Sequence, residues 1–121
     1  MSITRILVVD DSPTERFFLS ELLVKNGYLV SMAESGEDAL AQARVSHPDL
    51  IVMDVVMPGM NGFQATRALS KEDATKNIPV IMCTTKGQET DKVWGIRQGA
   101  KAYLVKPVDP DELLGQIKAL S

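Results

Sequence analysis

Residues 50–62 read LIVMDVVMPGMNG. An apolar run meets Asp54, and a Pro/Gly loop follows. A run with no polar face reads as a strand covered on both sides. Burying a carboxylate at the end of such a strand is costly unless a cation or a metal pairs with it. The partner of Asp54 has to come from elsewhere in the chain.

Four more short apolar runs flank this one: RILVV (5–9), YLVSMA (28–33), IPVIMC (78–83) and AYLV (102–105). YLVSMA is mixed, which suits an edge strand. The segments between them carry helix signals. Ser12 can cap a first helix, Pro13 suits its first position, and Glu15 completes a capping box. Phe17, Phe18, Leu19, Leu22 and Leu23 recur near helical spacing before Gly27. Ser35 opens a second helix. Gly62 to about Leu69 reads as a third, and Thr90 to Gln98, closed by Gly99, as a fourth. Asp109, Pro110 and Glu112 start a fifth, with an apolar stripe of Leu113, Leu114, Ile117 and Leu120. The polar stretch SKEDATKN (70–77) reads as a longer loop. Strands alternating with helices predict an α/β fold, a parallel sheet with helices on both faces and right-handed crossovers.

The totals fit one domain spanning 1–121. The chain has 121 residues, 45% of them hydrophobic, and a net charge of −3. A chain of this size buries roughly two-thirds of its unfolded surface. The negative balance disfavours nucleic acid as a direct partner. No stretch approaches the ~18 apolar residues of a membrane span, and MSITRILVVDD is no secretory signal. The expected location is the cytoplasm, and the expected state a monomer. The single Cys83 lies in an apolar run and reads as a buried, inert thiol. His47, before Pro48, reads as a solvated turn residue. The spacing of Trp94 beside Val93 favours core packing over a partner-binding role.

In an open parallel sheet, ligands bind beyond the carboxyl ends of the strands. Asp10 and Asp11 end the first strand, Asp54 the third, Thr84 and Thr85 the fourth, and Lys106 the fifth. Each alone is unremarkable: a dipole-favouring acid, a loop starter, a strand-end hydroxyl, a surface lysine. Their convergence on one edge is specific. Two carboxylates ~4 Å apart repel by about 4 kcal/mol at an effective dielectric near 20. A divalent cation relieves this. Hard oxygens without a Cys or His cluster favour Mg²⁺. Lys106 supplies a second positive charge for a phosphoryl group, and Asp54 is the candidate nucleophile for an acyl phosphate.

Through VVDDS (8–12), VMDVVMPGMNG (52–62), MCTTK (82–86) and YLVKPV (103–108), the whole chain resembles the receiver domain of two-component response regulators, in its single-domain, chemotaxis-type form. NGFQATR (61–67) and the segment 84–109 look like the PilH type of twitching-motility regulators. The resemblance implies a flavodoxin-like, doubly wound five-stranded sheet of order 2-1-3-4-5 with five helices. It implies Asp54 as phosphoacceptor and Mg²⁺ held by Asp10, Asp11, Asp54 and the Val56 carbonyl, with Asp10 acting largely through water. Thr84 would be the switch hydroxyl, Tyr103 the aromatic switch, and Lys106–Pro107 a cis bond. On the residues alone, Tyr103 is a plain edge-strand aromatic. The implied partners are a histidine kinase and a downstream motor or regulatory protein, reached by the surface of the fourth helix, fifth strand and fifth helix. The same likeness implies a self-catalysed switch and not an enzyme, and leaves open a phosphate sink that drains the kinase.

The position after the switch hydroxyl is usually small in that family; here it is Thr85. Thr85 and the branched Val56 are expected to slow the attack of water. Two other readings fit less well. An aspartyl-nucleophile phosphatase usually wants a second Asp two residues after the nucleophile, where this chain has Val56. A flavodoxin-like electron carrier needs a phosphate loop after the first strand, where VDDSPTER presents two acids.

Overall fold

The computed structural model describes residues 2–121. Five strands alternate with five helices: β1 (Arg5–Val9), α1 (Pro13–Lys25), β2 (Leu29–Ala33), α2 (Gly36–Ser46), β3 (Leu50–Met53), α3 (Gly62–Lys71), β4 (Val80–Thr84), α4 (Glu89–Gln98), β5 (Ala102–Val105) and α5 (Pro110–Leu120). All strand pairs are parallel, in the order β2-β1-β3-β4-β5. The predicted doubly wound α/β fold is the one observed. Among the described residues, no helix is long and apolar enough to cross a membrane.

The unbroken apolar runs follow from burial on two faces. Successive side chains of a strand point to opposite sides. Leu7, Val9, Ile51, Met53, Val80 and Met82 face one core with Ala39, Leu40, Ala65 and Leu69 of α2 and α3. Ile6, Val8, Leu50, Val52, Ile81 and Cys83 face the other, with Leu19, Leu23, Leu113 and Ile117 of α1 and α5. The two edge strands depart from this pattern: β5 leaves Tyr103 half-buried and Val105 exposed, and β2 departs further. It is an edge strand with Leu29, Ser31 and Met32 exposed, as its mixed sequence suggested.

Local chemistry sets the helix ends. Ser12 Oγ accepts from Glu15 N, Ser35 Oγ from Asp38 N, and Asn61 and Gln64 form a reciprocal capping box. Asp109 Oδ1 accepts from Asp111 N. His47 caps α2 in the left-handed region at φ 49 and is exposed. The segment after Leu69 differs from the expected loop, because α3 runs on to Lys71 before its turns begin.

The apolar spacing of α1 and the core reading of Trp94 meet a different outcome in the structure. Phe17 is 66% exposed and Phe18 45%. The face of α1 that meets the sheet is carried by Leu19 and Leu23, with Leu22 partly buried. Trp94 is 50% exposed, with Val93 and Ile96 beside it in solvent, so it does not pack in the core. The buried residues of α4 are Gly95 and Gln98, neither of them a bulky apolar one, and a Cβ at Gly95 would lie 2.7 Å from the Tyr103 ring and 2.9 Å from Met82 Sδ. That close approach turns the large side chains of α4 outward.

Candidate functional site

The carboxyl ends of β1, β3, β4 and β5 bring the sequence-predicted residues together. Asp10 follows β1 and is 1% exposed; Asp54 follows β3 and is 7% exposed; Thr84 ends β4 and is fully buried. Asp11 stands at the exposed rim. Asp10, Asp11 and Asp54 each offer an oxygen, and these atoms all lie within 4.8 Å of one another. Lys106 reaches into the cluster from the end of β5. Its Nζ lies 2.7 Å from Asp10 Oδ2 and 3.7 Å from Asp54 Oδ2. The Lys106–Pro107 bond is cis.

Each group is held. Ser12 N donates to Asp10 Oδ1 at 2.9 Å, and Arg16 Nη1 to the Asp10 carbonyl at 2.7 Å. Both carboxylate oxygens of Asp10 therefore have partners. Val55 N donates to Asp54 Oδ1 at 2.8 Å. Lys86 N donates to Thr84 Oγ1 at 3.3 Å. The Tyr103 hydroxyl donates to the Lys86 carbonyl at 2.7 Å. Tyr103 is thus more than an edge-strand aromatic: it is tied to the β4–α4 loop beside Thr84.

Position is enforced by backbone contact. Gly62 N donates to the Val55 carbonyl at 2.9 Å, and a Cβ at Gly62 would fall 2.1 Å from the Asp54 carbonyl oxygen. The start of α3 therefore lies against the backbone of Asp54.

Charge balance tunes the groups. Burial pushes the Asp54 carboxyl above its usual range; Lys106 opposes that shift and Asp10 adds to it. Burial alone would lower Lys106. The hydrogen bond to Asp10 and the charges of Asp54, Asp10 and Glu15 outweigh it, and the ammonium is held above its ordinary value. Burial pushes the Cys83 thiol up to about 12, in keeping with an inert core residue.

The residues present suit a hard divalent cation. The donors are carboxylate oxygens, and Asp11 accepts no hydrogen bond from the described residues. The Val56 carbonyl accepts no backbone hydrogen bond among the described residues. An oxygen-only set of this kind fits Mg²⁺.

Two residues that matter were not singled out as site residues from the sequence. Glu15 was read only as the far end of a capping box. Its Oε2 instead lies 3.8 Å from Lys106 Nζ. The available signal was weak: Glu15 sits in the first turn of α1, just beyond the Asp10–Asp11 pair. Lys86 appeared only inside a motif, yet its backbone joins Thr84 to Tyr103.

A model of the response regulator receiver domain matches residues 6–118. The chain belongs to this family. Among receiver proteins, Protein PilH of Pseudomonas aeruginosa is 60% identical over 116 residues, covering 96% of each chain. The phosphate regulon transcriptional regulatory protein PhoB of Escherichia coli is 40% identical over 96% of this chain, which spans 51% of that longer protein. Among solved receivers, a response regulator from Chloroflexus aurantiacus superposes with a TM-score of 0.93 at 35% identity, covering 98% of both chains. The chemotaxis protein CheY4 of Vibrio cholerae does so with a TM-score of 0.91 at 36% identity, covering 99% of this chain and 100% of that one. The narrower resemblance to the PilH type agrees with the first of these relatives.

Proposed function

We propose that the protein is a phosphoacceptor response regulator, phosphorylated on Asp54 by a histidine kinase. One observation carries the reading: a buried carboxylate, flanked by two acids and faced by one ammonium, at the carboxyl edge of a parallel sheet. Asp54 Oδ attacks the phosphorus of a phosphohistidine. The P–N bond breaks, its electron pair returns to the imidazole, and the imidazole takes up a proton. Lys106 neutralises charge on the transferring group. Asp11, Asp54 and the Val56 carbonyl would hold Mg²⁺, with Asp10, whose oxygens are already partnered, acting through water. When bound, that ion supplies the further positive charge that three acids and a phosphoryl group need.

The new group brings roughly −1.5 to −2 charges and three acceptor oxygens. Thr84 Oγ1 would donate to one of them. Its movement is coupled through Lys86 to Tyr103, and so to the α4–β5–α5 face, as a population shift between two packings. Val93, Trp94, Ile96 and Val105 expose an apolar patch there for a downstream protein. The likeness to PilH supports a role in pilus-linked chemosensory signalling, in the cytoplasm. A phosphate sink that drains the kinase is the second reading. The half-covered length of PhoB shows that the same fold also serves longer proteins.

The test is intact mass after incubation with Mg²⁺ and acetyl phosphate or phosphoramidate. A labile gain of one phosphoryl group is expected, absent in Asp54→Ala and absent without Mg²⁺. An unchanged mass with metal present rejects the reading.

A further inference from the structure

We infer that β2 is a docking edge for a second copy of this chain. Two β2 strands pair antiparallel across a two-fold axis at Ser31 and join the sheets of two molecules into one. That assembly replaces the monomer expected from the sequence.

β2 is the outermost strand on its side of the sheet. Leu29 N donates to the Thr4 carbonyl, and Asp10 N donates to the Ala33 carbonyl. Residues 29 and 33 thus turn backbone groups toward β1. By the alternation of a parallel ladder, Val30 and Met32 turn theirs away from it. Gln42 Nε2 meets one of these outward groups, the Met32 carbonyl, at 2.8 Å. A carbonyl has two lone pairs, so it still has room for a second donor. Open edges are ordinarily blunted by Lys, Pro or a bulge. The strand LVSMA has neither charge nor Pro, and Leu29 is 62% exposed and Met32 48%. The other edge is guarded: β5 has four residues and runs straight into Lys106–Pro107.

The charges around β2 select a second copy as the occupant, and fix its direction. Arg5 lies beside Leu29 at the start of the strand, and Lys25 closes α1 just before it. Glu34 follows the strand, and Glu37 and Asp38 open α2 beyond it. Glu34 is held only by an exposed pair with Arg16 at 3.3 Å. One end of the edge is basic and the other acidic. Antiparallel pairing sets each basic end against an acidic one, whereas parallel pairing opposes like charges. A two-fold axis satisfies both ends at once and leaves no β2 edge open.

With the axis at Ser31, Val30 exchanges both backbone hydrogen bonds with the second copy's Met32. Leu29 then faces Ala33, and Ser31 faces its own counterpart. A strand pair of this length covers less than the roughly 800 Å² per partner of a standard interface, so the association is weak and concentration-dependent. The α4–β5–α5 face lies at the far edge of each sheet and stays free in both copies. A target with two such binding sites is then engaged twice.

The test is sedimentation of the full chain from micromolar to millimolar concentration, with cysteine crosslinking to read the register. The parent should pass from monomer to dimer. Ser31→Lys sets two ammonium groups face to face on the axis and should stay monomeric with an unchanged far-UV circular dichroism spectrum. Under mild oxidation, Ser31→Cys should give a disulfide-linked dimer, because a non-hydrogen-bonded pair brings the two Cα atoms to about 4.5 Å. Leu29→Cys, which faces Ala33, should link many-fold more slowly. Cys83 is buried and stays silent in both variants. A parent that is monomeric throughout, a dimer that survives Ser31→Lys, or equal linking at positions 29 and 31 overturns the inference. None of these outcomes touches the phosphoacceptor reading.

Discussion

Thr85 is exposed at the rim of the site, while Thr84 beside it is buried. A β-branched side chain there is stiff and takes up space that an alanine would leave open. Thr85→Ala should therefore speed loss of the phosphoryl group by a few-fold, measured as decay of the phosphorylated mass after the donor is removed. A rate no faster than the parent's would show that access is set elsewhere. At this scale the acids, the hydroxyl and the lysine were readable because each ends an apolar run, and strand ends of a parallel sheet point one way. Trp94, Phe17 and Phe18 were not. An aromatic at helical spacing says that a helix has a face, not which way that face is turned. On α4 the buried residues are Gly95 and Gln98, which carry no apolar signal at all.

At the scale of elements, the contact between α3 and the Asp54 loop is the most exacting. A methyl group at Gly62 would overlap the Asp54 carbonyl, and backbone cannot yield as a side-chain tip can. Gly62→Ala should cost roughly 2–3 kcal/mol of stability, an overpacking penalty. It should also impair phosphorylation beyond the loss of folded protein, because the nucleophile itself is displaced. Denaturant unfolding and the mass assay together separate the two effects. Helix limits were legible to within a residue or two where Ser12, Ser35 and Asp109 announce a start. They were less so at the end of α3, where the polar residues 70–77 suggested a loop but Ser70 and Lys71 remain helical. There Ser70 Oγ donates to the Thr66 carbonyl within α3 and lies 3.1 Å from the Gln98 carbonyl of α4, contacts that composition does not reveal.

For the whole molecule, the acid cluster is a strain that the fold tolerates. The carboxyl of Asp54 is raised by burial, so its neutral form is favoured in the folded chain. A group whose folded pKa is raised contributes stability below its unfolded value, and that contribution is lost as pH rises through the folded value. At neutral pH without metal, Asp54→Asn should therefore be more stable than the parent by about 1 kcal/mol. The advantage should fade as the medium is acidified through the carboxylate range. Mg²⁺ should raise the parent's melting temperature with concentration and raise that of Asp54→Asn less. Thermal unfolding at several pH values, with and without Mg²⁺, checks both statements. A parent indifferent to Mg²⁺ would remove the metal from the site.

Lys106 and Asp10 meet across a sequence separation of 96 residues. Contacts this distant close late in folding, since the entropy of the loop between them has to be overcome first. During synthesis, Asp10, Asp11 and Asp54 leave the ribosome well before the lysine that balances them. A growing or truncated chain can carry every acid of the cluster and still lack its fixed counter-charge.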